Sequence, residues 1–237
     1  MKLTRNEDGI VDGWKFTQCW AKSFALQTGS MHWDNEENTL YIGFDQGRVV
    51  RLKRNKDNPM QYTELEELGV HSLRITGITS NGENNTFTSV SDDGTLKVTE
   101  NASGSVVAQA QPSAGALKQL LTFKQRNCFG VSDAKGGLHF YTKDSSPLEL
   151  IISLSVDSGS EIKGLALSGA ENYVVAGCAD GSINIFDLGA NGKERLAKPH
   201  LTLQGNKGVR CLQWREKPRR ELIAGHADGL VTIWDFK

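Results

Sequence analysis

Short apolar strands separated by tight turns recur along this chain, and the last fifteen residues show the pattern most clearly. Residues 223–237 read Ile-Ala-Gly-His-Ala-Asp-Gly-Leu-Val-Thr-Ile-Trp-Asp-Phe-Lys. Apolar residues lie on both sides of the Asp228-Gly229 pair, and such a pair between β-forming residues is a strong hairpin signal. The glycine supplies the positive φ that a primed hairpin turn requires. The segment therefore predicts two antiparallel strands, the second running from Leu230 to Phe236.

The same hairpin pattern occurs in four earlier segments, which are residues 44–52, 92–99, 134–141 and 179–187. The turn glycines of all five hairpins fall 42 to 48 residues apart and are Gly47, Gly94, Gly136, Gly181 and Gly229. An acidic residue precedes each turn; these are Asp45, Asp93, Asp180 and Asp228, with Asp133 standing further back in the third copy. A period in the forties that is made of strands and turns predicts an array of small sheets.

These repeats resemble the WD40 repeat, in which each copy supplies one four-stranded blade of a β-propeller. Trp234-Asp235 is the dipeptide that gives the family its name, and Phe186-Asp187 is a conservative version of it. Val98-Thr99 and Tyr141-Thr142 depart further from the pattern. The resemblance covers about residues 25–237 and implies an all-β fold of the WD40-propeller type.

We expect one domain, 1–237, with five four-stranded blades and an overhanging N-terminal strand at Met1–Arg5. The five repeats are about 25–54, 60–101, 104–143, 148–188 and 196–237. In the fifth repeat we predict Leu201–Leu203 as the first strand and Leu230–Phe236 as the fourth, so that Met1–Arg5 finds no vacant place there. Most members of the family have seven blades. The sequence leaves three arrangements open: a five-bladed ring, further blades elsewhere in the polypeptide, or blades from another chain.

Composition indicates a soluble, folded protein with no overall attraction for nucleic acid. The 27 Lys and Arg residues nearly balance the 28 Asp and Glu residues, so any electrostatic binding must be local. The four cysteines form no Cys-x-x-Cys pair, which favours reduced thiols over a zinc site or disulfides. We find no signal-peptide core and no apolar run of membrane-spanning length. We therefore expect a cytoplasmic protein, with endosomal or cytoskeletal association left open.

The sequence predicts no catalytic residue, metal site or cofactor site. It lacks the nucleophile-elbow, phosphate-loop and dinucleotide-binding glycine patterns. Its five histidines show no metal-binding spacing. The acidic turn residues could suggest calcium, but one carboxylate per turn does not supply six converging oxygens, so a turn role accepting backbone N–H groups is favoured. The family resemblance implies that His71 hydrogen-bonds inside its blade, while Gly205-Asn206 replaces the corresponding Gly-His pair of the fifth repeat.

Local charge marks one candidate binding site for a partner. Seven cations lie in two loops of the last repeat, and they are Lys193, Arg195, Lys198, Arg215, Lys217, Arg219 and Arg220. Glu194, Glu216 and Glu221 moderate this charge, and a merely solvated rim is the alternative interpretation. If the two loops emerge on one face, they form a basic surface suited to an acidic or phosphorylated protein partner. Trp33 and Trp214 are more typical of core positions.

These features favour a non-catalytic scaffold or adaptor for protein–protein interaction. We expect it to dock its partners on the loop faces of the propeller and to act as a subunit of a larger assembly. The alternative is an endosomal membrane adaptor. Residues 41–47 and 203–210 look like the propeller of the WD-repeat/FYVE-finger endosomal adaptors, although the eight zinc-binding Cys and His residues of a FYVE finger are not present. Phosphoinositide binding is therefore not implied by that likeness.

Overall fold

The structure is a computed structural model that describes residues 2–5, 11–15, 21–112, 115–143, 145–189, 198–205 and 207–236. Within these residues the chain forms β-strands, one short 3₁₀ turn at Gly82–Asn84 and no α-helix. The alternation of apolar and polar residues, the β-branched side chains and the turn glycines together account for this all-β content. The all-β content predicted from the sequence is confirmed.

The first half of the chain forms a hairpin and two sheets. The strands are β1 (Lys2–Arg5), β2 (Val11–Lys15), β3 (Thr28–Asp34), β4 (Thr39–Phe44), β5 (Arg48–Arg54), β6 (Tyr62–Glu64), β7 (Leu68–Gly69), β8 (Ile75–Ser80), β9 (Thr86–Ser91), β10 (Leu96–Glu100) and β11 (Val106–Ala110). Strands β1 and β2 pair only with each other. Strands β3, β4 and β5 form the first sheet, in which β6 and β7 together occupy the fourth position beside β5. Strands β8 to β11 form the second sheet.

The second half of the chain forms three more antiparallel sheets. The strands are β12 (Leu117–Thr122), β13 (Cys128–Asp133), β14 (Gly137–Thr142), β15 (Leu150–Ser155), β16 (Ile162–Leu167), β17 (Tyr173–Cys178), β18 (Ser182–Asp187), β19 (Leu201–Gln204), β20 (Val209–Arg215), β21 (Glu221–His226) and β22 (Val231–Asp235). The third sheet contains β12 to β15 and the fourth contains β16 to β19. The fifth sheet has only three strands, β20 to β22, within the described residues.

The first strands of consecutive sheets contact each other in the order β3, β8, β12, β16 and β20. These five strands therefore lie innermost, and the other strands of each sheet extend outwards from them. Apolar side chains fill the space between neighbouring sheets, as Leu138 and Phe140 of β14 do against Val174 and Phe186 of the fourth sheet. The sheets thus pack face to face in series. The fifth and first sheets make no comparable contact, so the described sheets do not close into a ring.

The assignment of strands to blades made from the sequence is wrong by one strand. Residues 201–204 form the outermost strand of the fourth sheet, where β19 pairs with β18, and they are not the first strand of the fifth sheet. Leu230–Phe236 correspondingly contains the third strand of the fifth sheet, not the fourth. Within the described residues no strand occupies the fourth position beside β22. The N-terminal strand β1 does not fill that position either, because it pairs with β2. Each sequence repeat ends one sheet and begins the next.

The five turns contain the expected glycines, but the turn type differs from the prediction. Each turn glycine has a positive φ, from 73° at Gly47 to 93° at Gly181. The residues before the glycines do not have positive φ, whereas a type I′ turn would require it at both central positions. The Gly229 N–H donates to the carbonyl of His226 at 3.1 Å. The turns are therefore three-residue loops in which a type I turn is followed by a left-handed glycine.

Candidate partner-binding face

Loops emerge at two ends of the sheets, and one end carries the predicted basic residues. We call this end the loop face, and it comprises the described parts of the connections that follow the first and third strands of the sheets: residues 35–38, 55–61, 81–85, 101–105, 123–127, 143, 145–149, 168–172, 188–189, 198–200 and 216–220. Neighbouring connections touch, since the Gly169 N–H donates to the Glu216 carboxylate at 2.6 Å. The opposite end, which we call the turn face, carries the five glycine turns.

Four of the seven predicted cations lie together on the loop face. Arg215, Lys217, Arg219 and Arg220 are all exposed at the connection between β20 and β21, and we call these four the basic cluster. Lys198 is exposed and precedes β19, in a connection that emerges on the same face. Lys193 and Arg195 lie outside the described residues. Both loop assignments shift by the same single strand, so the described end of the connection before β19 and the connection between β20 and β21 follow strands that end on the loop face. The basic surface formed by all seven cations stays a prediction.

Acidic neighbours neutralise part of the basic cluster. Arg215 forms an ion pair with Glu221, and Arg220 Nε lies 3.6 Å from a carboxylate oxygen of Glu216. Lys217 and Arg219 form no ion pair with any described residue. Lys217 and Arg219 are therefore the two members of the basic cluster whose charge no described carboxylate offsets.

Glu216 also holds the basic cluster in place. Its Oε1 accepts the Trp214 indole N–H at 2.8 Å, in addition to the Gly169 N–H. The Trp214 ring packs against Phe236, with ring centroids 4.9 Å apart, and stacks on Tyr173 of the fourth sheet. Trp214 is thus half-buried between two sheets, close to the predicted core role. The loop that presents the cations is anchored by aromatic packing and by hydrogen bonds to its neighbour.

Trp33, the other tryptophan predicted for the core, is also only half-buried. Its indole N–H donates to the Asn35 side-chain oxygen at 2.9 Å, and its ring meets Tyr62 edge-on at 6.5 Å. The ring therefore supports the first sheet from the side of the loop face.

Sequence reasoning missed a second carboxylate anchor on the loop face. Glu171 is 5% exposed and accepts the backbone N–H groups of Lys124 at 2.7 Å and Gln125 at 3.0 Å. These donors belong to the third sheet and the acceptor to the fourth, so Glu171 joins the two sheets as Glu216 joins the fourth and fifth. A carboxylate in a loop does not belong to a periodic pattern. The roles of Glu171 and Glu216 in joining sheets could therefore not be predicted from residue spacing.

A groove that sequence reasoning also missed lies on the loop face between the second and third sheets. Its volume is about 710 Å³, and Lys124, Lys143 and Phe129 contribute to its lining. Lys143 Nζ donates to the Phe123 carbonyl at 2.7 Å and lies 5.1 Å from the Phe129 ring centroid. Volumes of this order suit small ligands or short peptide segments, so the loop face offers a concave site as well as the exposed basic cluster.

The acidic turn residues on the turn face make contacts within their own turns. Asp93 Oδ1 accepts the Thr95 N–H at 3.0 Å, and Asp180 Oδ1 accepts the Ser182 N–H at 2.9 Å. Asp228 Oδ1 accepts the Leu230 N–H at 3.2 Å, whereas Asp45 Oδ1 is buried without a partner among the described residues. The described residues contain no cluster of three metal-ligating side chains. These contacts close the turns.

His71 links its connection to the adjoining turn. Its ring lies 3.1 Å from an Asp93 carboxylate oxygen through Nδ1 and 2.9 Å from Ser89 Oγ through Nε2. A carboxylate only accepts hydrogen bonds, so Nδ1 donates and Nε2 accepts from the serine hydroxyl. Burial lowers the pKa of His71 to about 4, and the nearby Lys97 also lowers it, while Asp93 opposes the shift. A neutral, fully bonded imidazole thus holds the second sheet together.

In the fifth sheet His226, which lies at the end of a strand, makes hydrogen bonds comparable to those of His71 in the second sheet. His226 is buried at the end of β21, and its ring contacts Thr232 Oγ1 at 2.9 Å and the Lys207 carbonyl at 3.0 Å. The Trp234 ring lies 6.5 Å away, edge-on, and Asp235 ends the strand in register with Glu221. His226 therefore fastens the turn-face connection that lacks the Gly-His pair.

Comparisons with known proteins agree with this architecture. The family model described as "WD domain, G-beta repeat" matches residues 62–99, 149–187 and 197–235. The solved structure of Sqt1 from Saccharomyces cerevisiae is similar, with a TM-score of 0.75 and 14% sequence identity over 88% of this chain. The computationally designed Ika8 protein is also similar, with a TM-score of 0.70 and 21% identity over 89% of this chain.

The chain spans 58% of the length of each of these two structures, so both continue well beyond the part that it matches. A search of curated protein sequences finds no significant match. None of the described segments forms a helix with the length and apolar character of a membrane span.

Proposed function

This chain belongs to the WD40-repeat family, and on that premise we propose that it is a non-catalytic scaffold that docks other proteins on its loop face. The proposal includes a place as a subunit of a larger assembly in the cytoplasm. WD40 repeats generally serve protein–protein interaction, and their function lies in surfaces held by a rigid framework. The polar groups described above support a structural use, because His71, Asp93, Glu171 and Glu216 bind backbone or neighbouring side chains.

The observation that carries this proposal is the anchored basic cluster. A flexible lysine-rich loop would lose much conformational entropy on binding, whereas a loop already held by Glu216 and Trp214 loses less. Arg219 and Lys217 are exposed and form no ion pair within the described residues. We therefore favour a partner with an acidic or phosphorylated surface segment, to which arginine can bind in a bidentate manner.

Charge reversal tests the proposal. The Lys217→Glu/Arg219→Glu variant changes the two unpaired cations and leaves Glu216 with its hydrogen bonds. We expect the variant to keep the thermal transition of the parent protein and to lose at least about tenfold in affinity for the cellular partners recovered with the parent. Affinity purification with quantitative mass spectrometry gives the partner list, and binding of each purified partner gives the affinity.

The matched control is Lys135→Glu/Lys207→Glu, which reverses two cations on the turn face. Equal capture by the parent and the Lys217→Glu/Arg219→Glu variant would refute the basic cluster as the docking site. Co-sedimentation with phosphoinositide-containing liposomes distinguishes the membrane-adaptor alternative. Binding to liposomes that depends on the same two cations would contradict a protein-docking role for them.

A further inference from the structure

The fourth residue after each turn glycine is apolar in four sheets and charged in one. In chain order these residues are Arg51, Val98, Phe140, Ile185 and Ile233. The side chain of Arg51 is 7% exposed, and among the described residues its Nε has no hydrogen-bond partner and no carboxylate lies within ion-pair distance. Arginine is rarely buried without a partner, because its charge then loses hydration without compensation. The described residues therefore do not supply the anion that would balance this charge.

Arg51 lines a cavity of about 410 Å³ between the first and second sheets. The walls of the cavity include Tyr41 of β4 and Asn101, which follows β10. Glu37 and Asn85 belong to two connections of the loop face, so the cavity lies at that end of the molecule. Ligand sites in proteins generally have volumes of this order. The buried guanidinium and a space for a ligand thus occur at the same place.

The cavity coincides with a break in the outermost strand of the first sheet. Strand β6 pairs with residues 52–54 of β5 and β7 pairs with residues 48–49, so neither ladder includes Val50 or Arg51. Leu65 and Glu66 lie in this break and line the cavity, and the Leu65 N–H donates to the Arg51 carbonyl at 2.8 Å. The second, third and fourth sheets each have one unbroken fourth strand. The first sheet thus departs from them in its outermost strand at the position where it carries a buried cation.

Hydrogen bonds between the two sheets hold the walls of the cavity. Tyr41 is fully buried and lies directly opposite Arg51 on the neighbouring strand. A carboxylate only accepts hydrogen bonds, so the Tyr41 hydroxyl donates to Glu37 at 3.0 Å and accepts from Asn101 Nδ2 at 3.0 Å. These bonds join the first sheet to the connection that follows β10 of the second sheet. A site that is already held in place loses little conformational entropy when it binds a ligand.

The charges that line the cavity favour a ligand with one carboxylate. Lys53 and Glu66 are exposed and carry opposite charges, while Glu37 accepts the Tyr41 hydroxyl. Arg51 is the cation of this cavity that has no counter-ion among the described residues. A carboxylate matches the planar guanidinium through two parallel N–H···O bonds. The second negative charge of a phosphate would be repelled by Glu37 and Glu66.

We propose that the cavity binds the side-chain carboxylate of an acidic residue in a short, extended peptide segment. The Arg51 guanidinium binds the carboxylate, and Leu65 and Ala102 contact the residues that flank it in the segment. The cavity is open on one side, where Lys53, Glu66 and Ala102 are exposed. Pockets for small molecules bury most of the ligand surface, whereas an open cavity lets a polypeptide continue in both directions. The occupant is therefore a peptide segment and not a free small acid.

A peptide array tests the proposal on the whole chain. Acetylated and amidated heptapeptides carry glutamate, glutamine or phosphoserine at the central position, with flanking residues randomised without Asp or Glu. We expect the chain to retain glutamate peptides at least about tenfold better than glutamine peptides with the same flanks. No preference for glutamate over glutamine would overturn the proposal. A preference for phosphoserine over glutamate would overturn the assignment of a carboxylate.

Substitutions at Arg51 locate the binding on the array. Arg51→Met should abolish the preference for glutamate, and Arg51→Lys should weaken it about tenfold, because an ammonium group does not form two parallel bonds with a carboxylate. Arg48→Met removes a cation from the same strand, so it is the matched control and should keep the preference. Equal retention of glutamate peptides by the parent and Arg51→Met would overturn the proposal.

The NMR signal of the Arg51 Nε–H group, identified by its absence from Arg51→Met, reports on the guanidinium directly. A glutamate peptide selected on the array should shift this signal, whereas sodium succinate at the same concentration should leave it in place. An equal shift with succinate would overturn the assignment of a peptide as the occupant.

Two further measurements separate this cavity from other parts of the molecule. Arg51→Met should leave the chain at least as stable to urea as the parent. A loss of stability would show that an acidic residue of this polypeptide already pairs with Arg51, and it would overturn the proposal. Lys217→Glu/Arg219→Glu should keep the preference for glutamate, because the basic cluster belongs to the fifth sheet. Failure of the proposed docking function and failure of this inference are therefore distinguishable.

Discussion

The Glu171 carboxylate accepts the backbone N–H of Lys124 at 2.7 Å, although the two residues belong to different sheets. The same carboxylate accepts the Gln125 N–H at 3.0 Å. A single buried side chain thus accepts two backbone N–H groups of the neighbouring loop, and these bonds compensate the carboxylate for the hydrogen bonds to water that it loses on folding. Glu171 also has a φ of 57°, a conformation that non-glycine residues adopt at a cost.

Two substitutions of Glu171 distinguish the contribution of its carboxylate to stability from the cost of its backbone conformation. Glu171→Ala and Glu171→Gly both remove the carboxylate, but only glycine adopts a positive φ without strain. We expect Glu171→Ala to lower the free energy of unfolding by about 3 kcal/mol and Glu171→Gly by about 2 kcal/mol. Urea denaturation measures both. An alanine variant as stable as the glycine variant would contradict the strain argument.

Substitution of two turn glycines by alanine distinguishes the cost of backbone strain from the cost of a steric clash. A Cβ at Gly47 would lie 2.0 Å from the His71 carbonyl oxygen, whereas a Cβ at Gly229 would meet nothing within 4 Å. Both glycines have positive φ, 73° and 85°. We expect Gly229→Ala to cost about 1 kcal/mol and Gly47→Ala about 3 kcal/mol or more, as measured by thermal or urea unfolding. A similar decrease in the free energy of unfolding for both variants would show that the backbone at His71 moves away from the added Cβ at little cost.

Arg51 is a cation in a position that is apolar in the other four sheets. It is 7% exposed, and among the described residues its Nε has no hydrogen-bond partner and no carboxylate lies within ion-pair distance. Removing such a charge from a buried site is often stabilising. We expect Arg51→Met to raise the free energy of unfolding by about 1 kcal/mol. Arg48→Met, at an exposed ion pair with Glu67, is the control and should change it by less than about 0.5 kcal/mol. Destabilisation by Arg51→Met would contradict this account.

Stability should fall in acid because His71 is buried in its neutral form. Its pKa is about 4 in the folded protein against about 6.5 in an unfolded chain. The unfolded state therefore binds the extra proton first, and stability is lost as pH falls from 6.5 towards 4, by about 3 kcal/mol in all. Asp93 adds a second loss at lower pH: burial opposes its ionisation, but hydrogen bonds led by that from Thr95 lower its pKa to about 2.

Urea midpoints measured between pH 8 and pH 4.5 check the contribution of His71. A His71→Asn variant should be less stable at neutral pH, since it loses contacts to Asp93 and Ser89. Its stability should nevertheless depend less steeply on pH over this range, by about one proton. Parallel pH profiles for the two proteins would show that another group controls the acid response.

The sequence predicted the strands, the positions of the turn glycines and the number of repeats well, because these depend on local patterns. A side chain alternates between sheet faces with a period of two, and a left-handed turn position needs glycine. Gly94 and Gly181 could therefore be placed from the sequence alone. The assignment of strands to sheets could not, because a periodic signal has no natural starting point. Where one sheet ends depends on whether β19 pairs with β18 or packs near β20, and that contact is not local.

The candidate site was only partly predictable for a related reason. Arg219 and Lys217 stand out as a cluster of charge in the sequence. Only the structure distinguishes them from Arg215 and Arg220. Those two arginines lie close to Glu221 and Glu216 in the folded protein, whereas Lys217 and Arg219 form no ion pair with a described residue. Glu171 reaches a loop 47 residues earlier in the chain, and no spacing rule relates the two positions.

The contrast between the two ends of the array gives the molecule a direction. Ile42 and Phe44 at the first sheet are sealed by Phe24 and Leu26, while Val231 and Ile233 at the fifth sheet are bare. A protein with two matching bare ends would add subunits head to tail and grow into a filament. Among the described residues one of these faces is covered and the other is exposed, so two copies of this chain have no complementary pair of free faces to join head to tail. The covered first sheet therefore acts against the open polymer that two exposed and complementary ends would form.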